Sequence, residues 1–503
     1  MRTRTDRLLL AGLLTLWAGL VALAVSVLPP VDLGAPWAGA TATLLAGAVI
    51  GTVWAMAVRS LVVLAAYPLL RRRQRPVPHR PSDDSVALLY CTADDFDGAR
   101  LAASLQQTHP VTTYILDDSR RPDSRAAIDA FARRTGVEVV RRADRSGFKA
   151  GNLNHFLSLG HAHDWVVVMD SDQELPPTFV RRALDHAADR AASGVRVGVV
   201  QGRQTTRRGV TGFADEFGPL LESHVHTTML VRSAFGSTCF LGRGGLVSTT
   251  CLRATGGFPE VVAEDMAFSI EAARHGFDVS YAADLVSVED FPVDYAAFKT
   301  QHEKFSQSNV EMLRRYAGSL LRSPLRAWHK IDLMLEMTTA TVGVAVTALL
   351  LVFSAATLTA SAGASFPAWV GLTLGAGGVL PLVPETLRRL RGRDPVSALL
   401  FVVRAMALYS SMLLTTAGAV IGVLGGRRAR FIVTPKTRTR SRAATCRTDV
   451  VVAAVLLAVT VAGCGSPVPA LSVATAAACA VYYSVRSGRW ETASPREDLR
   501  LAA

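Results

Sequence analysis

Long apolar runs lie toward both ends of the chain, and the middle mixes short apolar runs with polar segments. Residues 8–28, a stretch within 37–67, 333–357 and 369–383 are apolar enough to cross a bilayer, and 450–463 with 471–485 form a shorter closing pair. Between residues 82 and 297 the pattern changes to that of a globular domain. Apolar or β-branched runs at 86–90, 112–116, 137–140 and 165–169 predict strands. Helical periodicity predicts helices at 99–107, 123–135, 152–159 and 266–275. This alternation predicts an α/β domain with a mostly parallel sheet and helices on both faces.

Three of the predicted strands end in acids: Asp94/Asp95, Asp117/Asp118 and Asp170/Asp172. In a parallel sheet those ends gather along one edge, where open α/β sheets bind ligands. Two carboxylates one residue apart, in Asp170-Ser171-Asp172, can share a hard divalent cation that substrate phosphates complete. An acidic turn capping the next helix is the plainer reading of that triplet alone. Lys149-Ala150-Gly151-Asn152 sets a cation and a close-approach glycine before a helix, a pattern that suits a phosphate or a simple cap. Asp265, after the turn-rich Gly256-Gly257-Phe258-Pro259, fits either a helix cap or a general base.

Charge sets the expected topology. Of 503 residues half are hydrophobic, and the net charge is +13. Arginines 71–73 and 75 follow the second apolar run and predict a cytoplasmic segment there, as do Arg388, Arg389, Arg391 and Arg393 further on. The first run, with no cleavage site evident, reads as a signal anchor. Residues 395–425 could also cross, but Arg404 and the basic cluster from Arg427 to Arg442 argue for a helix lying along the cytoplasmic surface. Six spans are expected, in a multi-pass plasma or inner membrane protein with its central domain cytosolic. A basic membrane face accounts for the charge, so no nucleic acid partner is expected. The six cysteines form no disulfide or zinc pattern. The pairs His161/His163 and His224/His226 read as solvated.

The ordered motifs carry a resemblance. Cys91-Thr92-Ala93-Asp94-Asp95 stands for P-T-Y-N-E, and Tyr114 to Pro122 is close to Y-I-L-D-D-G-R-R-P. Phe148 to Asn154 matches most of H-A-K-A-G-N-L-N, and Asp170-Ser171-Asp172 matches D-x-D. Gly256-Gly257-Phe258 with Ala263-Glu264-Asp265 matches G-G-F then T-E-D, and Phe431 to Lys436 matches F-x-V-T-x-K. Over about residues 85–485 the chain resembles the membrane-embedded processive glycosyltransferases of family 2, closest to bacterial cellulose synthases.

The resemblance implies a GT-A-type (Rossmann-like) domain at 82–297 inserted in a transmembrane bundle. Two helices in 1–75 would precede it. Interfacial helices at 298–332, a pair at 333–385, an interfacial helix with a gating loop at 395–445, a closing pair at 449–485 and a polar tail at 486–503 would follow. Thr92, Asp95, Asp118 and Lys149 would hold the nucleotide of a UDP-sugar, most simply UDP-glucose. Asp170 and Asp172 would bind Mg²⁺ or Mn²⁺ and the diphosphate, and Asp265 would be the base. Phe431, Val433, Thr434 and Lys436 would form the gating loop. Q-x-x-R-W reads Gln301-His302-Glu303-Lys304-Phe305 here, so Lys304 and Phe305 replace the diphosphate arginine and the acceptor tryptophan. Lysine lacks the guanidinium fork, and phenylalanine offers a smaller stacking face. F-C-G-S becomes Phe240-Leu241-Gly242-Arg243.

The implied activity is inverting transfer that extends a β-linked glycan and exports it across the bilayer, with accessory export subunits as partners. No PilZ domain is expected after the closing pair. One alternative is a non-processive transferase acting on a lipid or oligosaccharide. Another is an inactive transport or scaffold subunit.

Overall fold

The computed structural model describes residues 37–235, 238–359, 368–392, 394–430, 432–435, 446–461 and 467–486, with scattered positions between 11 and 22. The expected span at 8–28 therefore falls mostly outside the described residues, and Phe431 and Lys436 fall outside them entirely.

Seven strands form one sheet: β1 Val86–Thr92, β2 Val111–Asp117, β3 Glu138–Val140, β4 Trp165–Asp170, β5 Val197–Thr206, β6 Gly245–Ser248 and β7 Asp278–Glu289. Their spatial order is β3-β2-β1-β4-β6-β5-β7. All pairs are parallel except those of β6, which runs antiparallel to β4 and β5. The expected mostly parallel α/β domain is present. β1, β2 and β4 begin and end within two residues of the runs that predicted them.

Burial explains why these runs form the centre. Leu88, Leu89, Ile115, Leu116, Val167 and Val168 are fully enclosed. Alternate residues serve opposite faces: Leu89, Leu116 and Val168 pack toward Phe240, Phe258 and Phe268, while Leu88, Ile115 and Val167 pack toward Leu101, Phe131 and Phe179. A sheet covered on both faces needs such continuous apolar strands. Register sets the edge. Asp117 lies opposite Thr92, Asp170 opposite Cys91, and Glu289 opposite Thr206. The acids thus gather along the C-terminal edge.

An aromatic cluster and an ionic clamp are among the contacts that hold the outer helices. Phe213, Phe217, Phe291, Tyr295 and Phe298 pack against Phe401, Leu408, Met412 and Tyr483 of the later helices. A buried ionic clamp joins the helices Trp37–Arg72, Gly212–Phe235 and Ala327–Thr359. There Arg59 donates to Asp332 at 2.5 Å and Glu336 at 2.9 Å, and Arg232 donates to the same pair at 2.7 and 3.1 Å.

Two stretches among the described residues are long and apolar enough to cross a membrane, Ile50–Arg72 and Pro395–Leu424. Six spans are not established by that criterion. The second stretch is the one expected to lie on the surface. It consists of the helices Pro395–Ser410 and Leu413–Leu424, broken by a turn at Ser411 and Met412.

The histidine expectations are corrected. His161 and His163 are partly buried and pack on Tyr114, whose hydroxyl lies 3.1 Å from His163 Nε2. His226 meets the Tyr281 hydroxyl at 2.9 Å, and burial holds its pKa down at about 4. Pairs spaced by two residues read as polar, but aromatic neighbours distant in sequence cover both.

Candidate active site

At the end of β1 the chain turns through Asp94, which has a left-handed φ of +68°. Its carboxylate accepts from the backbone N–H groups of Arg120 and Arg121 at 2.8 Å each, tying the β1 and β2 loops together. Thr92 Oγ1 donates to Asp95 at 3.0 Å, and Asp95 accepts from the Ser171 hydroxyl at 2.5 Å. The carboxylate of Asp118 is held by both arms of Arg142, at 2.9 and 2.7 Å. The four residues expected to hold a nucleotide are thus brought to one edge, three of them inside preformed networks.

The helix Phe148–Ser158 opens at that edge. Phe148, with φ +53°, is the other non-glycine residue with positive φ among those described, and it directly precedes Lys149. A strained backbone at a ligand edge is a recurrent feature of functional loops. A Cβ on Gly151 would lie 2.1 Å from Ser146 O, so only glycine fits there. The asparagines of the motif are structural ties. Asn152 donates to Leu116 O of β2 at 3.1 Å, and Asn154 makes reciprocal 2.8 Å bonds with Phe258 of the Gly-Gly-Phe turn.

Lys149 Nζ donates to Asp170 Oδ1 at 2.5 Å and to Gly242 O at 2.8 Å. Burial opposes its charge, but Asp170 raises its pKa above the ordinary lysine value. Gly242 has φ +78°, and a Cβ there would touch Asp265 Oδ2 at 3.4 Å. Lys149 thus ties the strand-end Asp170 to the Gly242 carbonyl, and Gly242 lies beside Asp265, at the start of the helix Glu264–Arg274. Burial raises the pKa of Asp265, opposed by the Met266 N–H that its Oδ1 accepts at 2.7 Å. Burial and then Asp265 push Glu264 up to about 7. A buried carboxylate with raised basicity suits a general base.

Among the described residues, no group of three or more His, Cys, Asp or Glu side chains is placed to hold a metal. The donor set at Asp170 and Asp172 is two hard carboxylates. That set fits Mg²⁺ or Mn²⁺ with substrate phosphates completing the shell.

Gln301, Lys304 and Phe305 share a face of the helix Tyr295–Arg322, as their spacing dictates. Burial lowers the pKa of Lys304, and the field of Asp170 opposes that shift. Phe305 is 49% exposed and lines a cavity of about 630 Å³. His302, Asn309, Tyr409 and Thr416 line the same cavity, which runs among the later helices. Of the expected gating loop, Val433 is exposed and Thr434 half-buried. The preceding Arg430 N–H donates to Gln307 at 3.1 Å, which attaches this segment to the helix of Lys304.

Arg243 was not among the expected site residues. Glu289 holds it in a bidentate pair at 2.6 and 2.9 Å, and its Nε lies 3.7 Å from Asp170 Oδ2. Its place in the altered F-C-G-S motif was the sequence signal. Arg142 was missed too, because nothing local links it to Asp118.

Residues 165–379 match the family described as Glycosyl transferase family group 2. Glucomannan 4-beta-mannosyltransferase 7 of Arabidopsis thaliana is 24% identical over 234 residues, which are 44% of this chain and 41% of that protein. Glucomannan 4-beta-mannosyltransferase 1 of Oryza sativa subsp. japonica is 24% identical over 236 residues, 44% of each. The match spans less than half the length of these curated relatives. The solved structure of mannosyltransferase PcManGT from Pyrobaculum calidifontis in complex with GDP-Man and Mn²⁺ aligns over 75% of this chain and 99% of its own, at 19% identity and a TM-score of 0.49. The chain carries a glycosyltransferase family 2 domain and is distantly homologous to the plant glucomannan mannosyltransferases.

Proposed function

We propose that this chain is an inverting, metal-dependent hexosyltransferase that moves a sugar from a nucleoside diphosphate to a glycan hydroxyl at a membrane. The observation that carries the reading is the convergence of Asp170, Lys149, Gly242 and Asp265 at one sheet edge. Asp265 takes the proton of the acceptor hydroxyl. The freed oxygen pair forms a bond to the anomeric carbon, and the bond from that carbon to the diphosphate oxygen breaks on the opposite face. The nucleoside diphosphate leaves with that electron pair. Such a single displacement needs no second nucleophilic carboxylate. Asp170 and Asp172 would hold a divalent cation, which would supply charge stabilisation to the departing diphosphate. Lys149 and Arg243 add fixed positive charge beside Asp170, and Lys304 lies within its field. The guanidinium fork lost at position 304 has a counterpart in Arg243, reached from another loop.

The sequence resemblance to cellulose-type enzymes favours UDP-glucose. The names of the relatives favour mannose, and GDP-mannose is the second donor to consider. The cavity beneath Phe305 supports a path for a growing β-linked glycan, and the two apolar stretches support membrane attachment. The test is a donor panel on the purified full chain with Mn²⁺, Mg²⁺ or EDTA: UDP-glucose, UDP-N-acetylglucosamine, UDP-glucuronate and GDP-mannose. Consumption of one donor, abolished by EDTA, is expected. Turnover of none with any glycan acceptor would refute the reading, and soluble single-addition products would replace polymer extension by the non-processive alternative.

A further inference from the structure

Beyond the acidic edge, the loop after β2 borders an open surface depression of about 760 Å³, lined by Arg120, Arg125, Arg141, Arg142 and Arg145. Two of these arginines are compensated. Arg141 is paired with Asp117 and Asp129 at 2.6 and 2.7 Å, and Arg142 with Asp118. The other three have no carboxylate partner at ion-pair distance among the described residues. Asp144, also on the rim, turns back onto the Ser146 hydroxyl and N–H, at 2.6 and 3.0 Å. Arg125 Nε and Arg145 Nη2 instead converge on one neutral acceptor, Ser119 O, at 2.9 and 2.6 Å.

Bringing two guanidiniums onto a single carbonyl costs like-charge repulsion that this carbonyl does not cancel. Guanidinium forks match phosphate oxygens, and several together are the usual means of holding a multiply charged phosphate. We propose that this arginine basin is a second ligand site, for a multiply charged phosphate-bearing anion, separate from the site that holds the donor diphosphate. The site stands whether or not the transferase reading holds. Its position gives it a consequence for the donor site. The Ser119 carbonyl follows Asp118 directly, and the next two N–H groups clamp Asp94. An anion on Arg125 and Arg145 therefore braces the loop that carries Asp118.

The full chain in phosphatidylcholine nanodiscs, in EDTA, is titrated with inorganic pyrophosphate by calorimetry. Saturable binding is expected. It should persist in Lys149→Met, which removes one of the cations at the donor edge. It should weaken at least tenfold in Arg125→Gln/Arg145→Gln, and about threefold in Arg120→Gln, whose exposed side chain puts no fold at risk. Nanodiscs containing phosphatidic acid separate the sources. Suppressed pyrophosphate binding there identifies a lipid headgroup as occupant, and unchanged binding identifies a free phosphate compound. No binding by the wild type, equal binding by the arginine variants, or loss of binding in Lys149→Met would overturn the proposal.

Discussion

Two charged networks of this molecule differ in what lies beside their ion pairs. In the clamp, Arg59 and Arg232 each reach both Asp332 and Glu336, so two cations meet two anions inside a helix junction. At the sheet edge, Lys149 and Arg243 flank Asp170, and Arg243 is also held by Glu289. The Asp265 carboxyl beside them has a raised pKa. The clamp is closed on itself and holds helices together. The edge is biased toward a substrate that brings its own charge and oxygen ligands. Density of charge therefore does not mark a site, whereas an arrangement that a ligand would complete does.

The sharpest way to break this contrast is to remove the proposed base, Asp265. Asp265→Asn should lower turnover by about 10²–10⁴-fold, the usual worth of a positioned general base, with the melting temperature unchanged. Kinetics on the chosen donor beside a thermal melt check it. Arg232→Met should do the reverse. It leaves buried carboxylates under-compensated and should cost about 3–5 kcal/mol of stability, read by denaturation in detergent. Activity per folded molecule should hold. Arg243→Lys keeps a partner for Glu289 but loses the fork, and should raise the donor KM about tenfold, ~1.4 kcal/mol, with less effect on kcat. An equal fall in stability instead would move Arg243 into the clamp's class.

The smallest effect concerns Glu264. Its folded pKa is raised from 4.5 to about 7, so between those values the folded chain holds a proton that the unfolded chain has lost. Its contribution to stability is present below 4.5 and is lost as pH rises through 7. Melting temperature against pH should show that fall, and Glu264→Gln should flatten it.

The two networks also differ in how much of them the sequence carries. Strands β1, β2 and β4 were legible because continuous β-branched and apolar runs end in acids. Asp118, Lys149, Asp170 and Asp265 were legible because each sits in a short motif at a predicted turn. Strand β6 was not, since Gly245–Ser248 is four residues with no alternation and is shaped by its neighbours. Arg243 meets Glu289 across 46 residues and Arg59 meets Asp332 across 273, separations at which local periodicity carries nothing. The helical region was the least legible. The same apolar run at 395–424 satisfies a span by length and a surface helix by its flanking arginines, and composition alone does not choose.

The central claim is single-displacement transfer directed by Asp265 at the Asp170 edge. Its most direct test is the anomeric configuration of the first product, read by proton NMR during turnover of an α-linked sugar nucleotide with Mn²⁺. A β-anomeric product, absent with EDTA and absent with Asp265→Asn, is expected. An α-linked product, or undiminished transfer by Asp265→Asn, would contradict the claim.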